Sequence, residues 1–177
     1  MEFRGENLKL NICKLFFNDL YLPVRYNEKI RGYISSKYSE NDILHNHIGN
    51  KFIYRYPLVQ YKLIAKNPII IGINEGADFV AKFGIENDKL ILDGVKFAIS
   101  ESQIIKSVAE FGWEDDYIDY EFIIPWIALN QTNVIKYKNG NNLEKEELLK
   151  KILIGNIISM SIGLNYCWFV KHILHHT

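Results

Sequence analysis

The chain has 177 residues, 48% hydrophobic and 24% charged with no net charge, a balance that suits a globular protein and argues against a disordered one. Two cysteines, Cys13 and Cys167, rule out a disulfide framework or a four-cysteine zinc site and fit a reduced, cytosolic setting. The zero charge hides an asymmetry: residues 1–66 hold eleven Lys/Arg against six Asp/Glu, and residues 67–177 hold ten against fifteen. That is either chance surface charge or a basic nucleic-acid-binding half joined to an acidic one.

Leu8 to Phe16 alternates apolar and polar positions, as a half-buried strand does. Pro23 breaks the chain, and Asn27 to about Lys37 reads as a helix. The polar turn Ser39-Glu40-Asn41-Asp42 leads into Ile43-Leu44-His45-Asn46-His47-Ile48-Gly49. Lys51 to Tyr56 carries aromatics at alternate positions and predicts a strand; Pro57 marks an edge, and Leu58 to Ile64 continues extended. Asn67-Pro68 predicts a turn into a short buried strand, Ile69 to Ile73, before a helix over Glu75 to Phe83 and a strand from Lys89 to Leu92. This β-α-β-β-α-β order is that of a ferredoxin-like unit.

A second unit begins in the same way. Val95 to Ser100 and Tyr117 to Ile124 predict strands, and Leu143 to Gly163 predicts a helix with the capping-type start Asn142-Leu143-Glu144. No closing strand follows. The expected fold is α+β, with ferredoxin-like domains over 1–94 and 95–177, the second incomplete. Ile152 to Val170 holds nineteen residues without a charge, long enough to span a membrane. Asn156, Ser159, Ser161 and Asn165 interrupt it, however, and Ile154, Ile157, Ile158 and Ile162 form one apolar face. A helix packed on a sheet is the better reading, with no membrane partner.

His45-Asn46-His47 is the most informative cluster, open to three readings: metal binding, acid–base chemistry, or simple packing. Zinc needs three or four ligands, and the other histidines, His172, His175 and His176, sit at the far end of the sequence. Acid–base work fits better. An imidazole with an ordinary pKa of about 6.5 exchanges protons near neutrality, and the next segment offers the Tyr54 phenol with Lys51 and Arg55 as cations for a phosphate. RNA brings its own nucleophile, the 2′-hydroxyl, so such a set can cleave it without metal. Other motifs fail: Gly72-Ile73-Asn74-Glu75-Gly76 lacks the spacing of a nucleotide loop, and there is no Gly-x-Ser-x-Gly. The acidic run Trp113-Glu114-Asp115-Asp116 reads as an exposed turn, and Tyr117, Tyr120 and Phe122 read as strand core.

Three ordered blocks, Leu44–His47, Tyr54–Lys62 and Ile71–Gly76, together resemble the CRISPR-associated repeat-RNA endoribonucleases, the Cas-six proteins of subtype I-B and related systems. Phe122–Gln131 and Leu148–Ser161 are similar to the same group, so the resemblance covers about residues 7–166. It implies tandem ferredoxin-like (RRM-like) domains and a cytoplasmic, metal- and cofactor-free endoribonuclease. Its partners would be CRISPR repeat RNA, other Cas proteins or a second copy. The products would carry a 2′,3′-cyclic phosphate and a 5′-hydroxyl. The family's catalytic histidine follows the first helix, which here means His47, with Tyr54 as its partner; His45 is the alternative base, and Lys51 and Arg55 are the phosphate-binding candidates. The likeness fades after about Tyr166, where the family continues into further strands and a glycine-rich loop. A truncated C-terminal domain is therefore expected, with an RNA-binding protein of weak or absent turnover as the alternative function.

Overall fold

The computed structural model describes residues 7–44, 47–48, 51–52, 56–112, 114, 116–117, 119–123 and 129–166. The chain divides into two compact units, Glu6–Gly112 and Met1–Gly5 with Trp113–Thr177. In chain order the first unit holds β1 (Leu8–Phe17), α1 (Tyr26–Lys37), a 3-10 turn at Asp42–Leu44, β2 (His47–Ile48) and β3 (Lys51–Phe52). It continues through β4 (Val59–Ile64), β5 (Asn67–Ile73), α2 (Glu75–Glu86), β6 (Lys89–Leu92), β7 (Val95–Ala98) and β8 (Ser102–Phe111). The second unit holds α3 (Gln131–Asn139) and α4 (Asn142–Gly163).

The first unit is a complete ferredoxin-like fold. Its four-stranded antiparallel sheet runs β4-β5-β1-β8. The period-two pattern of β1 puts Cys13, Leu15 and Phe17 on one face, essentially fully buried. They join Ile70 of β5, Ile30 and Ile34 of α1, and Val80 and Phe83 of α2 in a single core. Burying each large side chain of this set contributes about 1.5–3 kcal/mol.

Three sequence expectations are corrected here. Lys89–Leu92 does not close the sheet: it is one arm of the β6–β7 hairpin, whose Asp93-Gly94 turn has φ of 53° and 78°, the left-handed pair that joins two strands in two residues. Leu90 and Leu92 are buried in the core, Phe97 stacks edge-on against Tyr26, and Lys29 pairs with Asp93 at 2.9 Å, so the hairpin docks on α1. The closing strand is β8, and the first unit ends at Gly112, so the expected boundary after residue 94 falls inside the hairpin turn. The turn between β4 and β5 is Ala65-Lys66 rather than Asn67-Pro68; Pro68 is tolerated inside β5 because the ladder to β1 starts one residue later, at Ile69.

In the second unit the described positions of 117–123 form no strand, and Tyr117, Tyr120 and Phe122 are exposed rather than core. Helix α3 went unanticipated; Asn130 caps it, its side chain accepting from the Asn133 N–H at 2.8 Å. The expected long helix is present as α4. Its cap is Asn141, not Asn142: Glu144 N–H donates to the Asn141 side chain and the Asn141 N–H donates to the Glu144 carboxylate, a closed capping box. Among the described residues, no helix is long and apolar enough to cross a membrane.

Candidate active site

From α1 to Leu44 the chain descends through a series of hydrogen bonds. The Tyr38 N–H closes the last turn of that helix on the Ile34 carbonyl at 3.0 Å, and the Tyr38 carbonyl then accepts from the Asn41 N–H at 3.0 Å. The Asn41 side chain accepts from the Ile43 N–H at 3.1 Å, and its carbonyl accepts from the Leu44 N–H at 3.0 Å. Asparagine suits this bend because its side chain replaces the next backbone acceptor. Ile43 and Leu44 pack on the core.

Beyond this turn, β2 and β3 pair antiparallel, with His47 opposite Phe52 and Ile48 opposite Lys51. Two of the sequence-derived candidates, His47 and Lys51, therefore sit on the two arms of one hairpin. His45, Tyr54 and Arg55 lie outside the described residues, as do Cys167 and the three C-terminal histidines.

The segment is anchored again where it rejoins the sheet. The Gln60 amide donates to the Tyr56 hydroxyl at 2.8 Å, and the Ile73 N–H donates to the Leu58 carbonyl at 2.8 Å. Helix α2 starts directly against this exit. A Cβ on Gly76 would stand 2.2 Å from the Leu58 carbonyl oxygen, and one on Gly72 would stand 2.1 Å from that of Gly76. The two glycines of the Gly72–Gly76 block thus serve close packing. Asn74 between them has φ of 51°; its N–H donates to the Asn11 carbonyl at 2.7 Å, and its side chain accepts from the Asn11 N–H at 3.1 Å.

At the other end of α2, Asn87 is buried, and its side-chain amide donates to the Phe83 carbonyl at 2.8 Å and to the Tyr38 hydroxyl at 3.0 Å. Its oxygen accepts from the Lys37 ammonium, which also lies 5.8 Å from the ring centres of Tyr33 and Tyr38. The Tyr38 ring meets Phe79 and Phe83 edge-on. Sequence reading missed this cluster. Its partners are about fifty positions apart, and only an asparagine just past a helix end hinted at it.

Burial pushes the Cys13 thiol up, with Lys106 pulling it down and Asp78 adding to the rise, so this cysteine is a packed core residue rather than a nucleophile. Burial also pushes the Tyr61 phenol up to about 12, against the pull of Arg31. Two hydrogen bonds from Ser100 hold the Asp19 carboxyl below its usual value. Among the described residues no three of His, Cys, Asp and Glu gather around one point.

A complete ferredoxin-like unit that follows its first helix with a histidine-bearing hairpin defines the class of this chain, and comparison with known proteins narrows it. The Cas6b N-terminal domain family matches residues 8–110 and the Cas6b C-terminal domain family matches 112–176. The chain belongs to the Cas6b family. A Cas6b crystal structure superposes with a TM-score of 0.82 at 38% identity, covering 90% of this chain and 74% of that one. A second, described as the CRISPR RNA processing endoribonuclease Cas6b, gives 0.68 at 34%, covering 90% and 71%. An uncharacterized protein of Methanocaldococcus jannaschii is 44% identical over 78 residues, 44% of this chain and 53% of that protein. The match thus spans about half the length of that curated relative. The tandem ferredoxin-like arrangement is consistent with these likenesses.

Proposed function

We propose that the chain is an endoribonuclease that processes CRISPR precursor RNA by cutting its repeats, and that it needs no metal. The observation that carries the reading is the 38% identity to a Cas6b structure across 90% of the chain, taken with the placement of His47 and Lys51 on one hairpin directly after α1.

In the proposed reaction an imidazole, that of His47 with His45 as the alternative, removes the 2′-hydroxyl proton of the nucleotide before the cut. The freed oxygen attacks the adjacent phosphorus. The bond to the 5′-oxygen breaks, and that oxygen takes a proton from the conjugate acid or from the Tyr54 phenol. One product ends in a 2′,3′-cyclic phosphate and the other begins with a 5′-hydroxyl. Lys51 and Arg55 offset the charge that builds on the phosphoryl oxygens. The basic excess of residues 1–66, the stretch that carries the hairpin, supports phosphate-backbone binding there. Repeat RNA is the proposed partner, with other Cas proteins and a second copy as further partners in the cytoplasm.

The test is incubation with a repeat transcript in EDTA. Cleavage that persists there, falls by about a hundredfold or more in His47→Ala, and vanishes when the nucleotide before the cut lacks its 2′-hydroxyl is the expected result. A gel shift without scission would instead make the protein an RNA-binding member of the family, and cleavage that requires a divalent cation would overturn the mechanism.

A further inference from the structure

The buried amide of Asn87 ties the end of α2 to the end of α1, and from there a continuous series of hydrogen bonds runs to Leu44, three residues before His47. We infer that Asn87 and Tyr38 are positioning residues that set the place of the histidine hairpin β2–β3. The inference rests on the reading of His47 as the proton-transfer group.

Three observations converge on it. Asn87 and Ser161 are the buried polar residues among those described. Ser161 spends its hydroxyl on the carbonyl one turn back in its own helix, at Ile157. Asn87 instead spends two of its three contacts across elements, on the Tyr38 hydroxyl and the Lys37 ammonium. A buried amide satisfied this way rigidifies what it joins. Second, Tyr38 is held from two sides, by its hydroxyl and by the edges of Phe79 and Phe83, so its backbone carbonyl has little freedom. Third, that carbonyl is the acceptor on which Asn41 folds the turn, and Asn41 in turn holds Ile43 and Leu44. Loss of the Asn87 contact therefore loosens the turn from its base. A displacement of about 1 Å at a proton-transfer group costs up to about a hundredfold in rate without touching substrate binding.

Tyr38→Phe keeps the ring packing and removes only the hydroxyl; Asn87→Ala removes the whole bridge. Two readouts decide the matter. The first is single-turnover cleavage of repeat RNA at saturating protein: both variants should fall about tenfold or more, with RNA affinity within about twofold of wild type. The second, independent of activity, is amide hydrogen exchange at His47, Ile48, Lys51 and Phe52, which should quicken by about tenfold in both variants while the β1–β5 ladder is unchanged. Unchanged exchange in the hairpin, or exchange that quickens equally in β1 and β5, overturns the inference. A wild-type protein that leaves repeat RNA intact overturns the parent reading and removes the catalytic role of the bridge, an outcome distinguished from the first by the exchange result.

Discussion

The Cα of Gly76 faces the carbonyl of Leu58 so closely that a methyl group there would sit 2.2 Å from the oxygen and 2.8 Å from the carbonyl carbon. Both atoms are backbone and neither can swing aside. The Leu58 carbonyl is also committed to the Ile73 N–H at 2.8 Å, so moving it breaks the first contact between β4 and the end of β5. Gly76→Ala and Gly72→Ala should therefore each cost about 3 kcal/mol or more, the upper end of overpacking penalties. The three tryptophans, Trp113, Trp126 and Trp168, all lie beyond residue 112. Amide hydrogen exchange in β1 and β5 across a urea series is therefore the measurement that reports on the first unit. A loss below 1 kcal/mol would show that α2 can slide away from this contact.

Asn74 supplies a graded version of the same argument. Its φ of 51° and ψ of −116° belong to a region where a Cβ is strained, yet its side chain accepts a bond from the Asn11 N–H. Alanine keeps the strain and loses the bond; glycine loses the bond and relieves the strain. Asn74→Ala should cost roughly 2 kcal/mol and Asn74→Gly no more than about 1 kcal/mol. The reverse order in urea titrations would mean that backbone strain does not govern the energetics of this corner.

These two corners illustrate what the sequence displays and what it hides. Alternation in β1, the capping pattern before α4 and the apolar run of β5 are local, and each produced its element within a residue or two. Strand β8 is harder to read because all but Ile104 and Phe111 of its ten residues are exposed, which leaves little apolar contrast between its faces. Lys89–Leu92 was more conspicuous, and the Asp93-Gly94 signal that makes it half of a hairpin is only two letters long. Helix α3 buries none of its side chains and so has no apolar stripe to announce it. At the candidate site, residue type and order point to His47 and Lys51, whereas Asn87 acquires meaning only when the fold brings it to Tyr38.

Tyr61 yields a pH-dependent prediction. Its hydroxyl is buried with no hydrogen-bond partner among the described residues, and burial pushes the phenol from 10 up to about 12. The folded value lies above the unfolded one, so this contribution is fully present below pH 10. Between pH 10 and 12 the unfolded chain releases a proton that the folded chain retains, and stability falls as pH rises, by roughly 2 kcal/mol across the window. Tyr61→Phe removes the orphaned hydroxyl and should be neutral or mildly stabilising at pH 7. The difference in unfolding free energy between wild type and this variant should grow in favour of the variant above pH 10. A difference that stays flat from pH 8 to 12 would contradict a desolvated phenol.

The two tight turns of the first unit should respond in opposite directions. Ala65 and Lys66 join β4 to β5 with φ of 50° and 72°, the geometry of a two-residue hairpin loop made here without glycine. Left-handed backbone costs an ordinary residue about 1 kcal/mol, so Lys66→Gly should stabilise the unit by up to that amount, less the extra chain entropy glycine brings to the unfolded state. The β6–β7 turn already has glycine at its second position, Gly94, with φ of 78° and open space where a Cβ would go. Gly94→Ala therefore meets no clash and should lose only the conformational cost, about 1 kcal/mol. Lys29→Ala nearby removes an ion pair whose two side chains are about half exposed, and should leave stability nearly unchanged because solvent screens such a pair. Measured together by urea unfolding, a gain for Lys66→Gly with a loss for Gly94→Ala would assign the energetics of both turns to backbone conformation. A loss for Lys66→Gly would instead place the Lys66 side chain among the contacts that hold the β4–β5 hairpin.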